Sequence, residues 1–148
     1  MTVPGTRAAA IVNPVAGPTA SRNSSRQASD LVRRAFAHDS TACEVVFTEY
    51  AGHAGKLASR FARQGVSPII AWGGDGTVNE VASALAFQTA VLGIVPTGSG
   101  NGLARELGIS LDPPGALATA VHGRDRTIDI GVLGGRPFVN VAGVGLDA

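Results

Sequence analysis

Residues 68–80, PIIAWGGDGTVNE, decide the fold, because in them an apolar run passes directly into a glycine-rich turn. The run from Pro68 to Trp72 is short, continuous and cut off by Gly73-Gly74, which predicts a buried β-strand. After the turn, apolar residues return at helical spacing and predict an amphipathic helix. These residues are Val78, Val81, Ala82, Leu85 and Ala86. A strand, a glycine turn and a helix in this order are typical of a parallel α/β sheet.

The same alternation extends outward in both directions from this stretch. Apolar runs predict three more strands, at Ala8 to Val12, Cys43 to Tyr50 and Ala90 to Val95. Apolar stripes predict further helices at residues 28–36 and 54–62. Shorter helices are expected at residues 101–107 and 114–121. Because each strand is an unbroken apolar run, the sheet is expected to be covered by helices on both faces. The sequence therefore predicts an α/β fold with three layers around a parallel sheet.

The end of the chain has a different pattern from the rest. Residues 128–132 alternate between apolar and polar or small residues, and Gly134-Gly135 then offers a tight turn. Residues Pro137 to Val141 predict a return strand, so the chain is expected to close with a β-hairpin. We interpret residues 1–148 as one domain, and we expect the hairpin to lead to a second, β-rich domain that this sequence lacks.

The composition is that of a globular chain and excludes several classes of protein. Apolar residues make up 45% and charged residues 16% of the 148 residues, and the net charge is +1. That charge is too small for a nucleic-acid-binding protein, so nucleic acid is excluded as a partner. The single cysteine, Cys43, cannot form a disulfide within the chain, which favours a reducing, cytoplasmic location. No run of about 18 apolar residues occurs, so membrane contact would be peripheral, at the inner face.

The glycine turn at residues 73–77 carries the strongest chemical signal. In a parallel sheet, ligands bind outside the carboxyl ends of the strands. Gly73, Gly74 and Gly76 lack the Cβ atoms that would keep a ligand away from the backbone. The N–H groups at the start of the next helix lack partners, and the helix dipole favours an anion there. Thr77 either caps this helix or donates its hydroxyl to a phosphate. Because of its glycines and free N–H groups, the turn is predicted to bind phosphate.

Asp75 is the exception in this turn, because a carboxylate repels phosphate unless something lies between them. One interpretation is that Asp75 holds Mg²⁺, directly or through water. Another is that Asp75 accepts a proton from an attacking hydroxyl group. A third, structural interpretation is that Asp75 accepts hydrogen bonds from nearby backbone N–H groups in a tight turn.

A second glycine-rich stretch, PTGSGNGLAR at residues 96–105, also follows a strand and begins a helix. It is expected to offer a second set of free N–H groups at the same edge of the sheet. Ser99 and Asn101 carry a hydroxyl and an amide suited to a nucleotide, although either could instead cap the helix. Two such loops on neighbouring strands predict a cleft.

Two weaker signals fall at the same edge of the sheet. Asn13 ends the first strand and Thr48 lies near the end of the second, where each could contact a base or ribose, or act as a turn or cap residue. His53 starts a helix and has no second histidine at ligand spacing, so we do not interpret it as a metal ligand. The G-x-x-x-x-G-K-[ST] pattern of P-loop NTPases is absent, and the only lysine, Lys56, lies far along the chain from both glycine loops.

Taken together, these motifs resemble the diacylglycerol kinase catalytic-domain family, which includes bacterial lipid kinases and the sphingosine and ceramide kinases. The resemblance covers nearly the whole chain in order and rests on five segments. These are Asn13-Pro14…Gly17, Thr48…Gly52-His53-Ala54, Gly73 to Glu80, Pro96 to Arg105 and Asn140…Gly143…Gly145. The GGDGT motif alone is shared with NAD kinases and phosphofructokinase-like folds, whereas the combination is specific.

The resemblance implies a nucleotide-binding domain of the NAD-kinase and diacylglycerol-kinase type, followed by a β-rich domain. It implies that ATP lies in the cleft between the two domains, and that the second domain supplies Mg²⁺ ligands and, in bacterial lipid kinases, the general base. In sphingosine kinases the residue matching Asp75 is the proposed base, which makes Asp75 the candidate catalytic residue. The implied nucleotide-binding residues are Asn13, Thr48, Gly73, Gly74, Asp75, Gly76, Thr77, Val78, Asn79, Glu80, Gly98, Ser99 and Asn101.

Three functions remain open on the sequence. The first is a lipid kinase that transfers the γ-phosphate of ATP to the hydroxyl group of a diacylglycerol- or sphingosine-like lipid. The second is an NAD kinase, against which the stretch PTGSGN argues. The third is a nucleotide-binding module without activity of its own, because half of a cleft cannot enclose a transition state. Besides the lipid, the partner that we consider is a second copy of the chain in a homodimer.

Overall fold

The computed structural model describes residues 7–17 and 22–139. Its helices and strands follow one another in the order that the sequence predicts. The strands are β1 (Arg7–Val12), β2 (Ala42–Phe47), β3 (Ile69–Gly73), β4 (Leu92–Pro96), β5 (Gly131–Leu133) and β6 (Arg136–Phe138). The helices are α1 (Arg22–Ala35), α2 (His53–Arg63), α3 (Asp75–Leu85), α4 (Gly102–Glu106) and α5 (Pro113–His122).

Strands β1 to β4 form one parallel sheet in the order β2-β1-β3-β4. The chain leaves β1 through α1 to reach β2 on one side, and then returns through α2 to β3 on the other side. Because of this reversal, the loops after β1 and β3 leave toward opposite faces of the sheet. The crevice between these two loops is the topological switch point, where ligands bind in folds of this kind.

Helices cover both faces of the sheet, as the unbroken apolar strands predict. On one face, α2, α3 and α4 pack over Ile11, Ile69 and Ile94. On the other face, α1 and α5 pack over Ile70 and Val95. Adjacent residues of one strand belong to opposite faces because side chains alternate along a strand. The predicted three-layer α/β architecture is therefore confirmed.

Two helix boundaries show how local chemistry sets the length of the helices. The N-cap of α5 is Asp112, whose carboxylate accepts a hydrogen bond of 2.8 Å from the N–H of Gly115. Hydrogen bonds from the Ser110 hydroxyl and this N–H lower the pKa of the Asp112 carboxyl. Helix α2 ends just before Gly65, whose φ of 72° is a left-handed conformation that glycine adopts without steric cost. Gly65 therefore stops this helix.

Strand β2 ends at Phe47, earlier than the predicted end at Tyr50. Beyond it the chain turns toward α2, with the N–H of His53 donating to the carbonyl of Tyr50 and Gly52 at a φ of 88°. The ring of Tyr50 is exposed and stacks on His53 with centroids 4.5 Å apart. Tyrosine favours strands, so the residue type at this position does not indicate the turn.

The predicted hairpin is present, but its strands are short. β5 and β6 pair antiparallel around Gly134 and Gly135, whose φ angles are 56° and 76°. Positive φ at both central residues is what a type I′ hairpin turn requires. Pairing begins at Gly131 and not at residue 128, and residues 128–130 form no strand with any other described residue. Residues 140–145, which belong to the family resemblance, lie outside the described ranges.

The turn after α3 places an aromatic residue, Phe87, in the left-handed backbone region. The N–H of Gln88 donates to the carbonyl of Leu85 at 2.9 Å, while Ala86 has φ −53° and ψ 128° and Phe87 has φ 61°. These angles are those of a type II turn, whose third position favours glycine or asparagine. The Phe87 side chain is 94% exposed, so no packing offsets the strain.

We expect the Phe87→Gly variant to be more stable than the Phe87→Ala variant by about 1 kcal/mol, because both lose the exposed ring but only glycine relieves the left-handed backbone. Urea unfolding of the two variants measures the difference. Gln88→Gly is a control at a position without positive φ, where no gain is expected. Equal stability of the two Phe87 variants would contradict the interpretation as strain.

Candidate active site

The two glycine-rich loops lie side by side at the carboxyl edge of the sheet. The N–H of Thr97, at the end of β4, donates to the carbonyl of Gly73 at 2.9 Å. A Cβ atom on Gly98 would lie 2.6 Å from the Cα of Gly74, a separation that real Cβ atoms essentially never show. The loops are therefore in direct backbone contact, and the prediction that they share one edge is confirmed.

Asp75 links the two loops through its carboxylate. Oδ2 accepts a hydrogen bond from the N–H of Asn101 at 3.1 Å, and Oδ1 accepts one from the N–H of Gly102 at 2.9 Å. A Cβ atom on Gly100 would lie 2.6 Å from Oδ2, so glycine leaves the room that the carboxylate needs. The N–H partners belong to the other loop and not to the turn of Asp75 itself. Each oxygen keeps a further lone pair, so the metal and proton roles remain available.

The sequence predicts free N–H groups at the start of α4, and this prediction is wrong for Asn101 and Gly102. The carboxylate of Asp75 occupies both N–H groups. The physical reason is that a helix start attracts a negative charge, and Asp75 supplies that charge from a different loop. The second loop is therefore not a second bare anion site, and its order depends on Asp75.

Asn101 shapes the second loop from within. Its φ is 55°, a left-handed conformation that asparagine tolerates better than most residues. Its Oδ1 accepts from the N–H of Gly98 at 2.9 Å, and its Nδ2 donates to the carbonyl of Gly98 at 2.7 Å. Asn101 stands at the N-cap position of α4, yet its side chain does not cap the helix. Its side chain thus holds the loop together, and a contact with a nucleotide stays a prediction.

A further hydrogen bond crosses the switch point. Nδ2 of Asn13 donates to Oγ1 of Thr77 at 3.2 Å, which joins the loop after β1 to α3. Oδ1 of Asn13 accepts from the N–H of Val15 at 3.1 Å. A Cβ on Gly73 would lie 2.6 Å from the Thr77 side chain, so this glycine makes room for the link. Thr77 is buried and does not cap α3.

The first turn of α3 is the part of the site that stays open. Gly74 is the N-cap, and no side chain of the described residues caps the helix. The N–H of Val78 donates to the carbonyl of Gly74 at 3.0 Å, so the N–H groups before Val78 lie at the helix end without an intrahelical acceptor. A Cβ on Gly76 would meet nothing within 4 Å. This open, positively polarised helix end has the properties of a phosphate site.

Asn79 and Glu80 have structural partners on the neighbours of α3. Oδ1 of Asn79 accepts from the N–H of Val139 at 3.2 Å, just after β6. Oε1 of Glu80 accepts from the N–H of Gly52 at 2.9 Å, at the start of α2. These bonds attach the hairpin and α2 to α3. The predicted nucleotide contacts of Asn79, Glu80 and the buried Val78 stay predictions.

Thr48 and Ser99 lie at the rim of the site. The N–H of Thr48 donates to the carbonyl of Val12 at 2.9 Å, which places Thr48 beside the carboxyl end of β1. Ser99 is exposed in the second loop, and its hydroxyl has no partner within residues 7–17 and 22–139. The structure therefore places both residues at the predicted edge, and their contact with a ligand stays a prediction.

A cavity of about 310 Å³ lies beside the second loop. Its lining is uncharged and includes Leu31 of α1, Trp72, Asn13 and Thr97. The Oγ1 atom of Thr97 is buried without a hydrogen-bond partner among the described residues. Thr97 belongs to the second motif and lines this cavity together with residues of α1 and of the loop after β1, an arrangement that sequence spacing does not specify.

Among the described side chains at the glycine loops, the possible metal ligand is one acidic group, that of Asp75, and no thiolate is present. Within residues 7–17 and 22–139, no group of three or more His, Cys, Asp or Glu residues could hold a metal ion. Burial and the negative charge of Glu44 raise the pKa of the Cys43 thiol to about 12, so the thiol is protonated at neutral pH. Mg²⁺ is commonly held by one or two carboxylates together with substrate phosphates, and Asp75 fits that pattern.

Fold and site together define a doubly wound α/β domain in which two interlocked glycine-rich loops, after β3 and β4, lie beside the switch point. The family model described as the diacylglycerol kinase catalytic domain matches residues 7–133. The chain therefore belongs to the diacylglycerol kinase catalytic-domain family.

Individual relatives show the same relationship. A probable lipid kinase, YegS-like, from Chromohalobacter salexigens is 39% identical over 127 residues, which cover 83% of this chain and 40% of the relative. A diacylglycerol kinase from Bacillus subtilis is 44% identical over 101 residues, 66% of this chain and 33% of the relative. The crystal structure of a diacylglycerol kinase from Bacillus anthracis has a TM-score of 0.76 and 27% identity, covering 93% of this chain and 49% of that chain. The chain thus spans half or less of the length of these relatives.

Proposed function

We propose that this chain is the ATP-binding part of a lipid kinase, which transfers the γ-phosphate of ATP to the hydroxyl group of a diacylglycerol- or sphingosine-like lipid. The observation that carries the proposal is the pair of glycine loops at the switch point, joined by Asp75 and leaving the start of α3 open. Membership of the diacylglycerol kinase catalytic-domain family supports the same reaction class. The NAD kinase alternative is not favoured by any of these relatives.

The open start of α3 would bind the phosphates of the nucleotide. Backbone N–H groups before Val78 point out of the helix, and the helix dipole adds a partial positive charge. The absence of a Cβ on Gly76 lets an anion approach the backbone closely. Because Asn13 and Thr77 are already hydrogen-bonded across the switch point, this surface is ordered before a ligand arrives. Such preorganisation favours positioning of the reacting groups.

Asp75 is the proposed catalytic residue, and its surroundings fit both of its possible roles. Its two backbone bonds fix the carboxylate at the junction of the loops while leaving a lone pair on each oxygen. With these lone pairs Asp75 would hold Mg²⁺ directly or through water, or accept the proton of the attacking lipid hydroxyl. Mg²⁺ would neutralise phosphate charge when bound. The rest of the chemistry at this site is positioning of the phosphates by the open start of α3.

The lipid substrate implies contact with a membrane surface, which we propose to be peripheral. Within the described residues, no helix has the length and apolar character needed to cross a bilayer. In this proposal the phosphate-binding edge is accessible to the lipid hydroxyl at the membrane surface.

The direct test is phosphate transfer by the full-length protein. With γ-labelled ATP and Mg²⁺, we expect label in diacylglycerol or sphingosine presented in mixed micelles. NAD is the matched alternative acceptor, and formation of NADP in place of phosphorylated lipid would replace the lipid kinase with the NAD kinase. Binding of ATP without transfer to either acceptor would favour the nucleotide-binding module.

The Gly76→Ala variant tests whether the start of α3 binds the phosphates. Because a Cβ there meets no protein atom, we expect unfolding free energy to stay the same or rise by as much as about 1 kcal/mol, the difference in helix propensity. We expect ATP affinity to fall about 10-fold, since one hydrogen bond to a charged group of about 1.5 kcal/mol is lost. Calorimetric titration and thermal unfolding measure the two effects. Unchanged ATP affinity would show that the nucleotide does not approach Gly76.

A further inference from the structure

Arg105 is a cation fixed beside the acidic residue of the site. It lies in α4, and its Nε donates to the carbonyl of Gly100 at 2.9 Å. Gly100 is also the residue whose Cβ would lie 2.6 Å from Oδ2 of Asp75. One residue of the second loop therefore separates the guanidinium from the carboxylate of Asp75.

The outer part of this guanidinium is free. An arginine has five N–H donors, and the bond to Gly100 uses one of them. The ion pairs of the described residues are Arg7 with Glu44 and Arg33 with Asp30, so Arg105 has no acidic partner within residues 7–17 and 22–139. The side chain is exposed, and its two Nη groups can accept an anion from solvent.

The glycine loops need a cation that they do not contain. Residues 73–77 and 96–104 include no lysine or arginine, but they include the carboxylate of Asp75. A nucleotide phosphate placed there would meet this negative side chain and backbone amides, without a positively charged side chain. Arg105 is the basic residue that follows directly after the second loop, and its Nε bond holds it toward that loop.

We propose that the Nη groups of Arg105 bind the terminal phosphates of the nucleotide and stabilise the charge that develops during phosphoryl transfer. This inference rests on the proposed function and adds a residue to the site. The planar guanidinium suits two phosphate oxygens at once, and fixing Nε in advance limits the entropy lost on binding. The bond that forms joins the lipid oxygen to the γ-phosphorus, and the bond that breaks joins the γ-phosphorus to the bridging oxygen that leaves with ADP. The proton of the lipid hydroxyl passes to the general base, for which Asp75 is the candidate. Arg105 exchanges no proton in this step.

The alternative role of Arg105 is to brace the second loop through Nε alone. If Arg105 only braces the loop, its replacement would lower the affinity for all ligands to the same extent and would also lower the stability of the fold. A phosphate-binding cation would affect ligands according to their number of phosphates. The variants Arg105→Gln and Arg105→Lys separate the two roles, because lysine keeps the charge without the planar fork and glutamine removes the charge.

The test uses the full-length protein and titrates ATP, AMP and inorganic pyrophosphate by calorimetry, together with the lipid phosphorylation rate. In Arg105→Gln we expect kcat to fall about 100-fold or more, as for the loss of one preorganised group that stabilises the transition state. We expect affinity for ATP and pyrophosphate to fall about 10-fold, but affinity for AMP to be unchanged. Arg105→Lys keeps the charge, so we expect its affinity for ATP and pyrophosphate to lie between those of Arg105→Gln and the wild-type protein. We expect added guanidinium salt to restore part of the phosphorylation rate of Arg105→Gln. Arg34→Gln, on exposed α1, is the control and is expected to change neither.

Equal losses of affinity for AMP and ATP, or wild-type pyrophosphate binding in Arg105→Gln, would overturn the assignment of Arg105. Failure of the wild-type protein to bind pyrophosphate would overturn it as well. If pyrophosphate binding depends on Arg105 but no lipid is phosphorylated, the proposed lipid kinase function is wrong and the phosphate-binding role of Arg105 stands.

Discussion

Replacing Asp75 with asparagine is expected to lower lipid phosphorylation about 100-fold or more, a loss typical of a positioned electrostatic group. The carboxylate accepts hydrogen bonds from the N–H groups of Asn101 and Gly102, whereas an amide can accept at one atom and presents a donor at the other. The second loop therefore loses one bond and a negative charge at the start of α4. We also expect a loss of about 1 kcal/mol in unfolding free energy, as for removal of a helix cap.

Two measurements on Asp75→Asn separate catalysis from loop order. The kinase rate with saturating ATP and lipid reports on the chemical role, and urea unfolding reports on the loop. Asp125→Asn, at an exposed position outside the site, is the charge-matched control and is expected to leave both unchanged. A variant that is less stable but keeps its kcat would limit Asp75 to holding the loops together. A variant with unchanged kcat and stability would remove Asp75 from the site altogether.

Gly98→Ala is expected to force the two glycine loops apart. The new Cβ would lie 2.6 Å from the Cα of Gly74 and 3.2 Å from Oδ1 of Asn101. Because the nearer atom belongs to the backbone, no side-chain rotation can relieve the overlap. We expect unfolding free energy to fall by about 1–3 kcal/mol, as for overpacking. Displacement of the loop by about 1 Å is expected to lower the kinase rate about 100-fold.

Gly76→Ala is the matched comparison for Gly98→Ala, because its Cβ would meet open space. The two glycines stand in adjoining loops but serve different purposes, one for contact between loops and one for access of a ligand. Thermal unfolding should therefore separate the variants, with a loss of stability for Gly98→Ala alone. Equal thermal stability in the two variants would show that the loops can separate without cost.

Most of the fold was predictable from the sequence, because the information lies in local patterns. Short apolar runs marked the four strands of the parallel sheet, although the edge strand β2 contains Glu44 and has no fully buried residue, and apolar stripes marked the helices between them. The boundaries were less certain where residue type and structure disagree. Tyr50 is a strand-forming residue in a turn, and Phe87 occupies a turn position that favours glycine. At both positions the chain must turn to connect a helix with the neighbouring strand, and this requirement outweighs the backbone preference of the single residue.

By itself, the sequence determined that two glycine loops follow parallel strands and so open at the same edge of the sheet. Tertiary structure alone decided which groups meet there. The carboxylate of Asp75 accepts a hydrogen bond from the N–H of Asn101, 26 residues further along the chain. The side chain of Asn13 donates one to the hydroxyl of Thr77, 64 residues further along. Periodicity records which face of a strand or helix is buried, but it carries no information about strand order. The strand order β2-β1-β3-β4 brings these residues, which are distant in the sequence, together at one edge of the sheet. As a result, N–H groups of the second loop that were predicted to be free donate to the carboxylate of Asp75.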